Sequence, residues 1–153
     1  VFFIKGQPIQ AVGIQLNAYL VVGDSGKMGH TLEAVSDVAK LYQEEPDARI
    51  WMEELGDLTR QAKGFLASGQ AQALGQVMNQ AHTLLQKLGV SDPVLDQLVA
   101  VARDQGALGA KLTGGGRGGC MIALAANQHQ AEKIAQALEK AGACQTWIQY
   151  LGE

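Results

Sequence analysis

The feature that most constrains this chain is a loop between two apolar runs. Leu108 to Thr113 reads as one strand and Cys120 to Ala125 as the next. Five of the six residues between them are glycine: Gly114, Gly115, Gly116, Gly118 and Gly119. A hairpin turn needs one or two glycines. Each further glycine adds unfolded-chain entropy that folding must remove, and it brings no side chain to pack. What such a loop offers in return is close approach of backbone N–H groups to an anion, the geometry of a phosphate-cradling nest. The plainer alternative is a loose connection between strands.

Gly114, Gly116 and Gly119 match G-x-G-x-x-G, but a dinucleotide fingerprint must open a helix. Here the loop is followed by Cys-Met-Ile-Ala-Leu-Ala, a run too short for a helix and suited to a buried strand. A phosphate-binding P-loop is excluded because Cys120 stands where its lysine belongs. The unit is strand, glycine loop, strand.

Around it the chain alternates strand and helix signals. Val1 to Ile4 and Ile9 to Leu16 read as two short strands, turned at Gly6 and Pro8. Ala18 to Gly23 reads as a buried strand, broken by Asp24, Ser25 and Gly26. Thr31 is a candidate N-cap for a helix carrying Ala34, Val38 and Leu41, with Glu33 in its first turn and Pro46 after its end. Trp51, Leu55, Leu58, Ala62, Phe65 and Leu66 form the apolar stripe of a second helix, closed by Gly69. A third spans about 70 to 88, with Gly89 beyond its end, and Asp92-Pro93 caps and starts a fourth that runs to Gly106. Asn127, with Gln130 as in a capping box, opens a fifth, and Cys144 to Tyr150 reads as the last strand.

From residue 18 onward the order is β-α-β-β-α-β with extra helices in the first crossover. This predicts an α+β, ferredoxin-like split βαβ fold: a four-stranded antiparallel sheet with helices on one face. Residues 18–153 form that domain, and 1–17 read as strands left from a junction with a preceding domain. The abrupt start, Val-Phe-Phe-Ile without an initiator Met, fits a chain cut within a fold.

Composition narrows the class. Hydrophobic residues make up 47% and charged residues 18%, with a net charge of −3. This profile gives no support to nucleic acid or an anionic membrane as partner. No apolar run reaches the roughly 18 residues of a membrane span. The two cysteines, Cys120 and Cys144, make no metal motif and read as core thiols in a reducing cytoplasm. The three histidines lack ligand spacing, so no protein-built metal site is expected.

The run Gly109-Ala110-Lys111-Leu112-Thr113-Gly114-Gly115-Gly116-Arg117-Gly118-Gly119-Cys120 closely resembles the third motif of the GHMP small-molecule kinases. Asp24-Ser25-Gly26 through His30-Thr31 to Ala34-Val35, the Ala81-His82 and Leu88-Gly89-Val90-Ser91 helix end, and Gln145-Thr146-Trp147-Ile148 are similar to stretches of the bacterial mevalonate kinases within that family. Gly115 departs from the alanine that many members carry, and glycine there leaves the backbone permissive.

The resemblance implies a C-terminal domain of a kinase that phosphorylates mevalonate to 5-phosphomevalonate with ATP and Mg²⁺, in isoprenoid biosynthesis. The nucleotide loop, the catalytic Asp and Lys and the Mg²⁺ site are implied to lie in an N-terminal domain of the same protein. No catalytic residue is therefore expected in this chain, which alone is expected to fold but not turn over. A homodimer stays open. Phosphomevalonate, homoserine or sugar kinase activity is the nearest alternative, and a non-enzymatic ligand-binding or dimerisation module the next.

The implied phosphate and substrate residues are Thr31, Thr113, Gly114, Gly115, Gly116, Gly118 and Gly119. Thr31 combines a cap role with a helix N-terminus, itself an anion site. Thr113 either aims its hydroxyl into the loop or packs as an ordinary strand residue. Lys27 and His30 share a turn that can meet the mevalonate carboxylate, and Lys27 reads equally as a solvated charge. Arg117 either grips a phosphate bidentately or lies in solvent. His82 reads first as a core histidine and second as a site residue.

Overall fold

The computed structural model describes residues 1–152. Four strands and five helices follow in the order β1 (Tyr19–Asp24), α1 (Thr31–Glu44), α2 (Pro46–Ser68), α3 (Ala71–Lys87), α4 (Pro93–Asp104), β2 (Gly109–Thr113), β3 (Cys120–Ala125), α5 (Gln128–Lys140) and β4 (Gln145–Tyr150). The strands form one sheet in the order β2-β3-β1-β4, with every neighbouring pair antiparallel. That is the expected split βαβ topology, with α1 to α4 filling the first crossover.

Successive strand residues face opposite sides of the sheet. Val21, Ala110, Leu112, Met121, Ala123 and Ala125 face one side, where they meet Leu95, Leu98, Val99 and Ala102 of α4 and Ile134 and Leu138 of α5. Fully burying each such leucine or isoleucine contributes about 1.5–3 kcal/mol. The opposite side is not bare, as helices on one face would leave it. Leu124 joins Leu16 and Ala18 in a second cluster with Leu74, Val77 and Met78 of α3, against which Leu58, Ala62 and Phe65 of α2 pack. The long α2–α3 hairpin has its own apolar stripe to bury, and the β2–β3 half of the sheet takes it.

The caps follow sequence chemistry with instructive exceptions. Asp92 is extended and its carboxylate accepts the N–H groups of Val94 and Leu95, with Pro93 at the first helical position. Glu45 alone separates α1 from α2; it is pushed to an extended conformation (φ −112°, ψ 114°) by Pro46, which starts α2 instead of merely following α1. Thr31 is not an N-cap. His30 occupies that position without a side-chain bond, and Thr31 is already helical. Asn127 accepts the Gln130 N–H, but the Gln130 amide does not complete a capping box. It donates to the Gly106 carbonyl at 2.6 Å, in the turn just after α4.

The N-terminal strands do not form. Phe2 and Gln10 make a single bridge, and Val1, Phe3 and Ile9 are exposed. An isolated two-stranded hairpin with no third strand is marginal in water. Nor are the cysteines core residues: Cys120 is half-buried and Cys144 exposed. Burial, with Asp24 and Cys144 nearby, pushes the Cys120 thiol up.

The edge of the sheet at β2 is sealed by α3. A Cβ on Gly109 would strike the Gly75 carbonyl, and one on Gly75 would strike the Leu108 carbonyl, so helix and strand backbones touch there. The outward N–H groups of Ala110 and Leu112 donate to Asn79 Oδ1 (2.9 Å) and His82 Nδ1 (3.2 Å) of α3. This closes an edge that would otherwise be open to another chain.

Two helical glycines therefore respond oppositely to alanine. Gly64→Ala in α2, where nothing lies within 4 Å of the new Cβ, is expected to raise stability by about 0.5–1 kcal/mol through helix propensity. Gly75→Ala is expected to lower it by about 2 kcal/mol or more, because the clash is with backbone. Chemical denaturation of both variants reads the difference in sign.

Candidate functional site

Topology brings two segments together. Asp24 at the end of β1 lies opposite Cys120 at the start of β3, so the glycine loop before β3 abuts the turn after β1. That turn is shaped by its own side chains. Asp24 Oδ1 accepts the Gly26 N–H at 2.9 Å, and Ser25 Oγ accepts the Lys27 N–H at 3.2 Å. The turn and the loop are then tied by Ser25 N–H to Gly119 O (2.9 Å) and Gly119 N–H to Lys27 O (2.8 Å).

The glycines have separate reasons to be glycine. Gly114, Gly116, Gly118 and Gly119 all have positive φ, a region other residues rarely adopt. Gly116 and Gly118 also lack space: a Cβ would strike Val90 O in the first case and lie 2.6 Å from Met28 O in the second. Gly115 is different. Its φ is not left-handed, but a Cβ there would overlap the Thr31 hydroxyl and come within 2.8 Å of Thr31 Cβ. Space, not backbone freedom, makes this residue glycine, and Gly115 and Thr31 are in effect one packing unit.

The result is a cleft of about 420 Å³ lined by Gly29, Thr31, Thr113, the loop glycines and Cys120. The N–H groups of Gly114, Gly115 and Gly118 donate to no acceptor among the described residues. They sit across from the N-terminus of α1, whose own first N–H groups lack a side-chain cap. Two sets of free donors thus border one cavity, and this arrangement suits an anion. A neighbouring apolar pocket of about 430 Å³, lined by Val35, Val38, Met52, Leu85 and Val90 among others, shares Gly114 and Gly115 as its wall. A cavity between α2 and α3, with Glu54, Asp57 and Gln80, shares no lining residue with either and includes none of the loop glycines.

The remaining candidates separate. Lys27 and His30 are exposed on the turn, and His30 Nδ1 lies 3.8 Å from Glu33. The Arg117 side chain neither reaches the cleft as a free fork nor lies in solvent; it folds back onto Asp37 (2.6 Å) and the Gly89 carbonyl (3.0 Å). His82 is 1% exposed, with both nitrogens engaged. Nδ1 accepts from Leu112, so the proton sits on Nε2 and is donated to Asp96 Oδ1 at 3.0 Å. Ser91 Oγ donates to the same oxygen at 2.6 Å. Among the described residues no group of three or more His, Cys, Asp or Glu is placed to hold a metal.

Sequence reasoning passed over Gly29 and Lys111. A Cβ on Gly29 would lie 3.3 Å from Gly116 O, a proximity set by tertiary packing alone. Lys111 lies on β2, two residues before Thr113 and on the same face. Its ammonium donates to the Leu112 carbonyl at 2.6 Å, and burial pushes its pKa down. A lysine inside an otherwise apolar strand is the signal that marks it.

Comparison with known proteins fits this geometry. The family model for GHMP kinases C terminal matches residues 61–144, and the chain belongs to the GHMP kinases, in their C-terminal domain. Mevalonate kinase of Pyrococcus furiosus is 43% identical over 129 residues, covering 80% of this chain and 38% of the relative. That of Aeropyrum pernix is 40% identical over 106 residues, 69% of this chain and 33% of the relative. The crystal structure of L. major mevalonate kinase in complex with R-mevalonate superposes with a TM-score of 0.86 at 35% identity, over 94% of this chain and 46% of that one. The chain thus spans less than half the length of these relatives.

His82 supplies a pH test. Burial lowers its pKa below the ordinary 6.5, and the Asp96 bond offsets this only in part. The unfolded chain therefore takes up this proton at higher pH than the folded one, and stability falls as pH drops below about 6.5. Protonation also expels the Leu112 N–H from Nδ1. Denaturation midpoints measured between about pH 7.5 and pH 5 are expected to fall steeply in the native protein and less steeply in His82→Gln, in which this proton is absent.

Proposed function

We propose that this chain forms one wall of the active site of a mevalonate kinase, which transfers the γ-phosphoryl group of ATP to the 5-hydroxyl of mevalonate. The observation that carries this reading is the set of N–H groups without a backbone acceptor at Gly114, Gly115 and Gly118, on residues that line one cleft with Thr31 at the start of α1. Phosphoryl transfer spreads charge over the oxygens in flight, and fixed donors aimed at them stabilise it without reorganisation. The kinship with mevalonate kinases supports the acceptor. The likeness to a Streptococcus pneumoniae phosphomevalonate kinase, at 19% identity and a TM-score of 0.78, speaks to fold alone.

In this reading Gly114, Gly115, Gly116, Gly118, Gly119 and Thr113 border the transferred phosphate. Thr31 lies between phosphate and acceptor, and Lys27 and His30 meet the acceptor's carboxylate. Residues 18–153 are the C-terminal domain, with 1–17 leading in from an N-terminal domain of the same protein. That second domain supplies the nucleotide loop and the acid–base pair, because positioning two reactants needs two walls. Mg²⁺ arrives with ATP and is held there; among the described residues no group of three or more carboxylates, histidines or cysteines is placed to hold it. The cytoplasm is the expected compartment, where ATP is available and the two free thiols persist. Met28, Leu32 and Val35 flank the cleft and are 86%, 89% and 62% exposed, which supports a second domain facing them.

The test is ATP turnover by the protein with its full upstream reading frame, offered mevalonate, phosphomevalonate, homoserine and galactose in parallel. Turnover with mevalonate alone is expected. Turnover with another acceptor moves the substrate, and none with any of them defeats the kinase reading. In the active protein Thr31→Ala and Gly115→Ala are each expected to lower kcat/KM by about 10- to 100-fold. The double variant is expected to lose far less than the product, because both changes act on one contact.

A further inference from the structure

Arg117 is the one non-glycine residue with positive φ among the described residues, at 54°. A side chain in that region is strained and persists only where its surroundings over-determine it. Here they do. The Arg117 main-chain N–H donates to Val90 O at 2.9 Å, and Nε–H donates to Gly89 O at 3.0 Å. On its other side the guanidinium donates to Asp37 Oδ2 at 2.6 Å, with Glu33 Oε1 at 3.7 Å. Glu33 and Asp37 are four residues apart on α1, so they share one face and present two carboxylates to one cation.

We propose that Arg117 is a positioning residue that clamps three elements and thereby sets the width of the cleft. It grips the turn after α3 through Gly89 and Val90, and the first two turns of α1 through Glu33 and Asp37. The glycine loop lies between. Thr31 begins the same helix that Asp37 and Glu33 anchor, so any displacement of α1 moves Thr31 relative to Gly115. Ala34 is the only buried residue of α1, so packing alone holds that helix weakly. A planar fork donating in two directions is required; a lysine offers one point charge and cannot bridge both walls. The guanidinium is thus committed to the protein and is not a phosphate ligand. The catalytic consequence rests on the kinase reading above, but the clamp itself does not.

The experiment uses the protein with its full upstream frame and compares Arg117→Gly, Arg117→Lys and Asp37→Asn. Glycine suits a φ of 54°, so Arg117→Gly removes the strain together with the clamp and keeps the melting temperature close to native. Hydrogen exchange at the amides of residues 117 and 119 is expected to speed up several-fold in Arg117→Gly, with Arg117→Lys and Asp37→Asn intermediate. In the same variant kcat is expected to fall about 10- to 100-fold, the scale of a small misplacement, beyond anything the melting temperature accounts for. Native exchange in Arg117→Gly overturns the clamp whatever the protein phosphorylates. Faster exchange with unaltered kcat and KM keeps the clamp and overturns its catalytic role. A loss of activity that merely tracks a fall in melting temperature also overturns that role. If no acceptor is phosphorylated, the exchange result alone decides the clamp and the failure belongs to the kinase reading.

Discussion

A helix backbone and a strand backbone meet at Gly75 and Gly109, and much of the molecule depends on that contact. Any side chain at either position would hold α3 away from β2. Asn79 and His82 would then fall short of the Ala110 and Leu112 amides, leaving buried donors unpaired at a cost of about 1–3 kcal/mol each. Arg103, which donates to the Ala110 carbonyl of β2 at 2.9 Å and to the Asn79 carbonyl of α3 at 3.4 Å, would no longer bridge strand and helix. The contact also aims both walls of the cleft. β2 runs straight into Gly114, and α3 ends in the turn whose Val90 carbonyl holds Arg117. A buried histidine carries the two together: its ring joins the β2 edge to Asp96 and Ser91, so the strand before the loop and the turn beside it move as one.

The strand order and most element positions were legible because local signals agreed with one another. Asp92-Pro93 is a cap and a start in one dipeptide, and the stripe from Trp51 to Leu66 leaves no alternative to a helix. Misreadings arose where a local signal had a tertiary competitor. Thr31 looked like a cap, yet the turn before it is tied to the glycine loop through Lys27 and Gly119, and His30 holds the cap position. Gln130 looked like half of a capping box, yet the turn after α4 lies beside it and its Gly106 carbonyl takes the amide. Val1 to Leu16 looked like two strands, but a strand needs a sheet, and β1 already has β3 on one side and β4 on the other.

The site was legible as chemistry and illegible as geometry. Five glycines in six positions announce close backbone approach, but not to what. Gly116 answers to Val90, Gly118 to Met28 and Gly115 to Thr31, and none of these pairings has a spacing that periodicity can read. Arg117 shows the limit most clearly. A lone cation in a glycine loop suggests a ligand-facing charge. Its nearer counter-ion, Asp37, lies 80 residues away along the chain, and only the fold reveals the pair.

α1 buries a single residue, and Leu32 and Val35 stand in solvent on its surface. The cleft is therefore built from unequal halves: a loop set in the sheet, and a helix whose local opening costs far less than global unfolding. A ligand that needs both halves binds only the fraction of molecules in which α1 is docked, and its apparent affinity is scaled by that fraction. Residues near the C-terminal end of α1, such as Lys40 or Tyr42, do not line the cleft. They nevertheless enter its affinity through the helix's docking equilibrium, and this lets binding be tuned without altering a single contacting atom.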